Sequence, residues 1–298
     1  MSIALNGDVE IYYETFGEVT DSPVLLVNGL GSQCISYRTA FCEQLAGRGY
    51  FVIRFDNRDA GLSTKFDHFE LNAGDVLRAL AAHEKVDVPY LLRDMALDAC
   101  AVLDALGIDR AHALGASMGA MIVQTLAIEF PDRLLTMVSI MSTTGDLDVG
   151  RPTGEARAVL LAPPPGDRDA FVERRLAGAG VWGSASAFDP DQLATEAHEA
   201  FDRSFCPLGV TRQFVAIQAS GSRTADLRTL STPTLVIHGD ADTLIDLSGG
   251  QRTRDVIPGA QLEIIAGMGH DLAAPYWGTL IDLFDNFARS RSGEDVRP

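Results

Sequence analysis

The sequence predicts an α/β fold: a doubly wound, mostly parallel sheet with a helical cap inserted in it. Three observations predict it. Continuous apolar runs recur at 23–27, 50–55, 134–141 and 233–237, the pattern of strands buried on both faces of a parallel sheet. Stretches of helical apolar spacing separate them, and strands alternating with helices build parallel sheets with right-handed crossovers. The alternation breaks over 143–228 and then resumes, which marks an insertion.

Taken in order, residues 9–14 alternate and include Tyr12 and Tyr13, so they read as an N-terminal antiparallel strand or hairpin. The run 23–27 ends in Asn28-Gly29-Leu30-Gly31, a glycine-bearing turn at the carboxyl end of a strand, where open α/β sheets place ligands. A helix over about 36–47 follows, then the strand 50–55 and the turn Asp56-Asn57-Arg58-Asp59, where Asp56 and Arg58 brace loops through charge-assisted hydrogen bonds. Within 65–89, residues 75–83 have the spacing of a short amphipathic helix covering part of a site mouth. The helical spacing of 90–106 stops at Gly107. A strand, a sharp turn at Ser117 and a helix to about Phe130 precede the strand 134–141. The sheet resumes at 233, a strand over 262–265 leads to Gly267-Met268-Gly269-His270, and a helix over about 276–288 closes the domain.

The chain has 298 residues, 46% of them hydrophobic, enough for one large core. We read residues 1–142 and 229–290 as the core domain, 143–228 as the helical cap and 291–298 as a flexible tail. The formal net charge of -17 argues against nucleic acid and anionic membranes as partners, and against polyanionic substrates. Cys34, Cys42, Cys100 and Cys206 form no C-x-x-C pair and sit among apolar residues, as reduced core thiols do. The start of the chain has no basic segment followed by an apolar one, and no apolar run reaches 18 residues, so a cytoplasmic protein is the expectation.

The chemistry is concentrated at Gly115-Ala116-Ser117-Met118-Gly119, a G-x-S-x-G motif between a strand and a helix. Such a turn crowds its neighbours, and glycines on either side relieve the crowding. Ser117 is the nucleophile. A serine hydroxyl needs a base that takes its proton and later returns it to the leaving group, and imidazole does both. His270, in a glycine-flanked loop after the last strand, is the candidate. His112 lies toward the opposite end of the sheet, His68, His83 and His198 lie in loops or on polar helical stretches, and His238 shapes the loop after its strand. A carboxylate must fix the base's tautomer. Asp242, on the turn after 233–239, is the candidate, ahead of Asp240, Asp246 and Asp146. The developing oxyanion needs two backbone donors. Met118, after the nucleophile and at a helix N-terminus, supplies one, and Leu30 in the glycine-bearing turn supplies the other. Trp182, Phe188 and Phe205 in the cap are candidates for the substrate pocket. The chain shows no dinucleotide-binding fingerprint and no metal-ligand cluster, and the reaction calls for neither cofactor nor metal.

These residues together resemble the α/β-hydrolase superfamily over nearly the whole chain outside the cap, which implies an eight-stranded sheet. The family's H-G-x-G oxyanion turn has Asn28 in place of His, which keeps the backbone donor. The stretches 56–64 (D-N-R-D-A-G-L-S-T) and 115–120 (G-A-S-M-G-A) are similar to bacterial esterases of the aclacinomycin methylesterase type. The resemblance implies a serine hydrolase that cleaves a carboxylic ester of a fairly apolar small molecule through an acyl-enzyme on Ser117. Haloalkane dehalogenases and epoxide hydrolases place Asp where Ser117 stands. The same triad also serves cofactor-free perhydrolases or haloperoxidases, lactonases and C–C hydrolases, and a non-catalytic small-molecule binding protein is the alternative of another class. Oligomeric state is not encoded in these motifs.

Overall fold

The computed structural model describes residues 2–69, 71–82, 84 and 86–292. Among them, eight strands form one sheet: β1 (Ser2–Asn6), β2 (Val9–Phe16), β3 (Ser22–Val27), β4 (Tyr50–Phe55), β5 (Ala111–Ala116), β6 (Leu134–Ile140), β7 (Thr234–Gly239) and β8 (Gln261–Ile265). The helices are α1 (Thr39–Ala46), α2 (Ala73–Ala81), α3 (Leu92–Ala105), α4 (Met118–Glu129), α5 (Gly154–Leu160), α6 (Arg168–Trp182), α7 (Pro190–Arg203), α8 (Pro207–Ser220), α9 (Thr224–Leu227), α10 (Ser248–Val256) and α11 (Trp277–Ser292).

Strand order is β1-β2-β4-β3-β5-β6-β7-β8. β1 and β2 form an antiparallel hairpin and β2 pairs antiparallel with β4, while every other pair is parallel. The chain steps outward from β3 to β4, then returns to place β5 on the other side of β3. That reversal sets the carboxyl ends of β3 and β5 side by side at the topological switch point, where such sheets leave a crevice. The Asn28 turn and Ser117 lie at those two ends.

The continuous apolar runs reflect burial on both faces. Along β3, Leu25 and Val27 join Met95, Ile122 and Leu126 of α3 and α4 on one face. Val24 and Leu26 join Phe41 and Leu45 of α1 and Phe284 of α11 on the other. Each such aliphatic side chain contributes about 1.5–3 kcal/mol on burial. Gly107 takes φ +67 just after α3, as a helix-stopping glycine does.

The segment between β6 and β7 is helical, α5 to α9. It leaves the carboxyl end of β6, comes back beside it where the Arg223 N–H donates to the Thr144 carbonyl at 2.9 Å, and then enters the parallel strand β7 at its amino end. α2 occupies the amphipathic stretch read at 75–83, of which His83 lies outside the described residues. α11 runs to Ser292, two residues into the segment read as a tail. Phe287 and Ala288 still pack in the core there, and Arg289 bonds to Asp285 at 2.7 Å. Residues 293–298 lie outside the described residues. No helix among the described residues is long and apolar enough to cross a membrane.

Candidate active site

β5 ends at Ala116, α4 begins at Met118, and Ser117 between them has φ +56 and ψ -119. A non-glycine residue in that region costs about 1–3 kcal/mol and persists only where its surroundings enforce it. Here the Ser117 N–H donates to the Ile140 carbonyl of β6, and the Ser117 carbonyl accepts from Ser142 Oγ, both at 2.9 Å. Gly119 lets α4 approach β3 so closely that a Cβ there would run into the Val27 carbonyl, and Gly115 stands in the same relation to the Gly119 carbonyl.

Three residues far apart in sequence meet at this turn. Ser117 Oγ lies 2.9 Å from His270 Nε2, and His270 Nδ1 lies 2.7 Å from Asp242 Oδ2. An ionised carboxylate only accepts, so Nδ1 carries the ring proton and Nε2 is left to accept from the serine hydroxyl. Asp242 is buried, and its Oδ1 accepts the N–H groups of Leu244 and Ile245, each at 2.9 Å. Burial alone would raise the Asp242 carboxyl. The facing His270 imidazole and the hydrogen bonds from His238, His270 and Ile245 outweigh it and hold the group well below the usual carboxylate range. His238 Nε2 lies 2.8 Å from the Ile245 carbonyl and 3.5 Å from Asp242 Oδ2, so this buried imidazole shapes the Asp242 turn from beneath.

The Asn28 turn faces the nucleophile: a Cβ on Gly29 would sit 3.4 Å from Ser117 Cβ. The Met118 N–H, first of α4, has no intrahelical partner by construction. Neither it nor the Leu30 N–H donates to another described residue. Both amides are thus unclaimed among the described residues. Asn28 Nδ2 donates to the Phe55 carbonyl and Asn57 Nδ2 to the Asn28 carbonyl, so asparagine here braces the turn.

The stretch from Asp56 to Asp59 ties the turn to the insertion. Asp56 accepts the Cys34 N–H at 2.6 Å and the Leu62 N–H at 2.8 Å and pairs with Arg203 of α7 at 2.7 Å. Arg58 pairs with buried Asp98 through two bonds. Arg212 of α8 pairs with Asp59 through two bonds and reaches Asp67 at 2.8 Å. Asp59, Asp67 and Cys206 are close enough together to hold a cation, but the Arg212 guanidinium already supplies that positive charge. Gln213 of α8, fully buried, accepts the Gly31 N–H and donates to the Arg58 carbonyl, each at 2.8 Å.

The other candidates are engaged elsewhere. His112 bonds Thr136 at 2.7 Å, and its ring packs edge-on to Tyr50 and Phe284. His68 lies beside Phe66 and His198 beside Arg168. Asp240 accepts the Gly267 N–H, Asp246 accepts the Arg151 and Ser248 N–H groups, and Asp146 pairs with Arg252. Of the cap aromatics, Phe205 packs with Phe171 and Phe201 at centroid distances of 6.0 and 4.5 Å. Phe188 is 44% exposed beside Gly180. The Trp182 ring folds back over Gly178 of its own helix, while its carbonyl accepts the His270 N–H at 2.6 Å. Three of the four cysteines are buried, Cys206 is half-buried, and all are free thiols.

Sequence reasoning missed Gln213 and the contacts of residues 181–184 with the His270 loop. No local motif announces them, because each depends on where the insertion docks.

Residues 22–273 match the family described as the alpha/beta hydrolase fold. The rhodomycin D methylesterase DauP of Streptomyces sp. (strain C5) is 31% identical over 291 residues, covering 89% of this chain and 90% of that protein. The rhodomycin D methylesterase DnrP of Streptomyces peucetius is 30% identical over 293 residues, covering 90% and 91%. Among solved structures, the meta-cleavage product hydrolase CumD of Pseudomonas fluorescens IP01 superimposes with a TM-score of 0.76 at 22% identity, over 97% of this chain and 98% of that one.

Proposed function

The chain belongs to the alpha/beta hydrolase fold family, and on that premise we propose that it is a serine esterase acting on a carboxylic ester of a fairly apolar small molecule. The observation that carries this reading is the unbroken hydrogen-bonded line from Ser117 through His270 to buried Asp242. Ser117 Oγ attacks the ester carbonyl carbon as His270 Nε2 takes its proton, and Asp242 steadies the imidazolium. The N–H groups of Leu30 and Met118 hold the oxyanion. The intermediate collapses, His270 returns the proton to the departing alcohol, and the acyl group stays on Ser117. Water, deprotonated by His270, then releases the acid.

Two relatives named as methylesterases favour a methyl ester, with methanol as the leaving alcohol. The charge of -17 favours an uncharged substrate over a polyanion. The helical insertion acts as a cap, with its aromatic side chains available to the acyl or alcohol part. A second reading, C–C hydrolysis on the same triad, is favoured by 33% identity over 209 residues to the 2-hydroxymuconate semialdehyde hydrolase of Pseudomonas sp. (strain CF600).

A panel of aromatic and polycyclic methyl esters, assayed beside 2-hydroxy-6-oxodienoates, separates the two. The proposal expects methanol release that disappears in Ser117→Ala. Turnover of the dienoates with none of the esters would establish C–C cleavage instead.

A further inference from the structure

We propose that Ser184 and Asp271 are positioning residues for His270, clamping the loop that carries the base to the end of α6. The proposal rests on the reading of His270 as the base. That loop has little stiffness of its own, because Gly267 and Gly269 precede the histidine and Gly267 takes φ +73. The sheet domain braces its beginning, where the Gly267 N–H donates to Asp240 at 2.7 Å. Its functional end is held from the insertion. The Gly269 N–H donates to Ser184 Oγ at 2.9 Å, and the His270 N–H donates to the Trp182 carbonyl at 2.6 Å. Ser184 Oγ and Ser184 N–H each donate to one oxygen of the Asp271 carboxylate, both at 2.6 Å.

Ser184 is 1% exposed, and its hydroxyl is the joint of the clamp, accepting from the residue before the histidine and donating to the residue after it. Hydrogen bonds to an ionised carboxylate are about twice as strong as neutral ones, so the pair is held firmly. The same short segment reaches the loop of the acid: Thr243, next to Asp242, donates through Oγ1 to the Val181 carbonyl at 2.8 Å. Residues 181–184 therefore set the spacing between the base and acid loops. An imidazole displaced by 1 Å from its proton-transfer position loses about 100-fold in rate. The seating of residues 181–184 and the alignment of His270 are thus coupled through these bonds.

The test measures p-nitrophenyl acetate hydrolysis, the rate of fluorophosphonate labelling and the thermal midpoint in the full chain. In Ser184→Ala, kcat and the labelling rate fall together by about tenfold to 100-fold while KM stays within about twofold. Ser184→Thr, which keeps the hydroxyl, recovers most of the loss, and Asp271→Ala repeats it. On a His270→Ala background, Ser184→Ala adds no further loss, which a general weakening of the fold would not reproduce. A kcat within about twofold of wild type in folded Ser184→Ala and Asp271→Ala, or a rise in KM alone, overturns the proposal. Should Ser184→Ala not fold, Asp271→Ala decides by the same readings. Wild-type labelling in His270→Ala overturns the base assignment itself, independently of the clamp.

Discussion

The buried carboxylate of Asp242 takes a 2.7 Å hydrogen bond from Nδ1 of His270, across 28 residues of chain. The contact selects one tautomer of the imidazole and so decides which ring nitrogen faces Ser117. Asp242→Asn keeps size and shape but can present an N–H to Nδ1, which reverses the tautomer. In Asp242→Asn kcat is expected to fall by about 10⁴ with the fold retained. Steady-state kinetics beside circular dichroism check it. A loss below about tenfold would show that Asp242 is not the orienting group.

Two glycine substitutions of identical chemistry are expected to act in opposite directions. A Cβ at Gly119 would collide with the Val27 carbonyl of the central strand, which cannot retreat. Gly119→Ala therefore destabilises by about 3 kcal/mol or more. Gly154 opens α5 with nothing near its Cβ position, so Gly154→Ala stabilises by about 0.4–1 kcal/mol by restricting the unfolded chain. Urea unfolding midpoints distinguish the two signs.

Much of this architecture was legible in the sequence because it rests on local signals. Apolar runs announce β3, β4, β6 and β7, and glycines around Ser117 announce a close approach that the Val27 carbonyl makes concrete. The loops bearing His270 and Asp242 could be placed together because strand topology alone gathers carboxyl ends. The contacts from the insertion could not be read this way. The Gln213 side chain accepts from a turn 182 residues earlier, and the Ser184 hydroxyl accepts from the Gly269 N–H 85 residues later. Such bonds join a side chain to a distant backbone group and leave no periodicity in either segment. Trp182 shows the same limit: its ring drew attention in the sequence, whereas the group that meets His270 is its carbonyl.

His112 gives the fold a pH dependence separate from the site. Burial among Tyr50, Phe284 and Thr136 pushes its imidazole down to about 4 from an ordinary 6.5. The unfolded chain takes up the proton first, so this stability is fully present above pH 6.5 and is lost as pH falls toward 4. The effect is about 3 kcal/mol at most. His112→Asn removes it, so the stability gap between wild type and variant narrows from pH 7 to pH 4.5 in urea titrations. A gap of constant size would show that His112 does not carry this dependence.

The central claim is that Ser117 is an activated nucleophile, and covalent labelling by a fluorophosphonate with peptide mapping tests it most directly. Label is expected on Ser117 in the wild-type chain, none in Ser117→Ala, and a labelling rate at least about 10³-fold lower in His270→Ala. Label on another residue, or none in a folded wild-type sample, would contradict it.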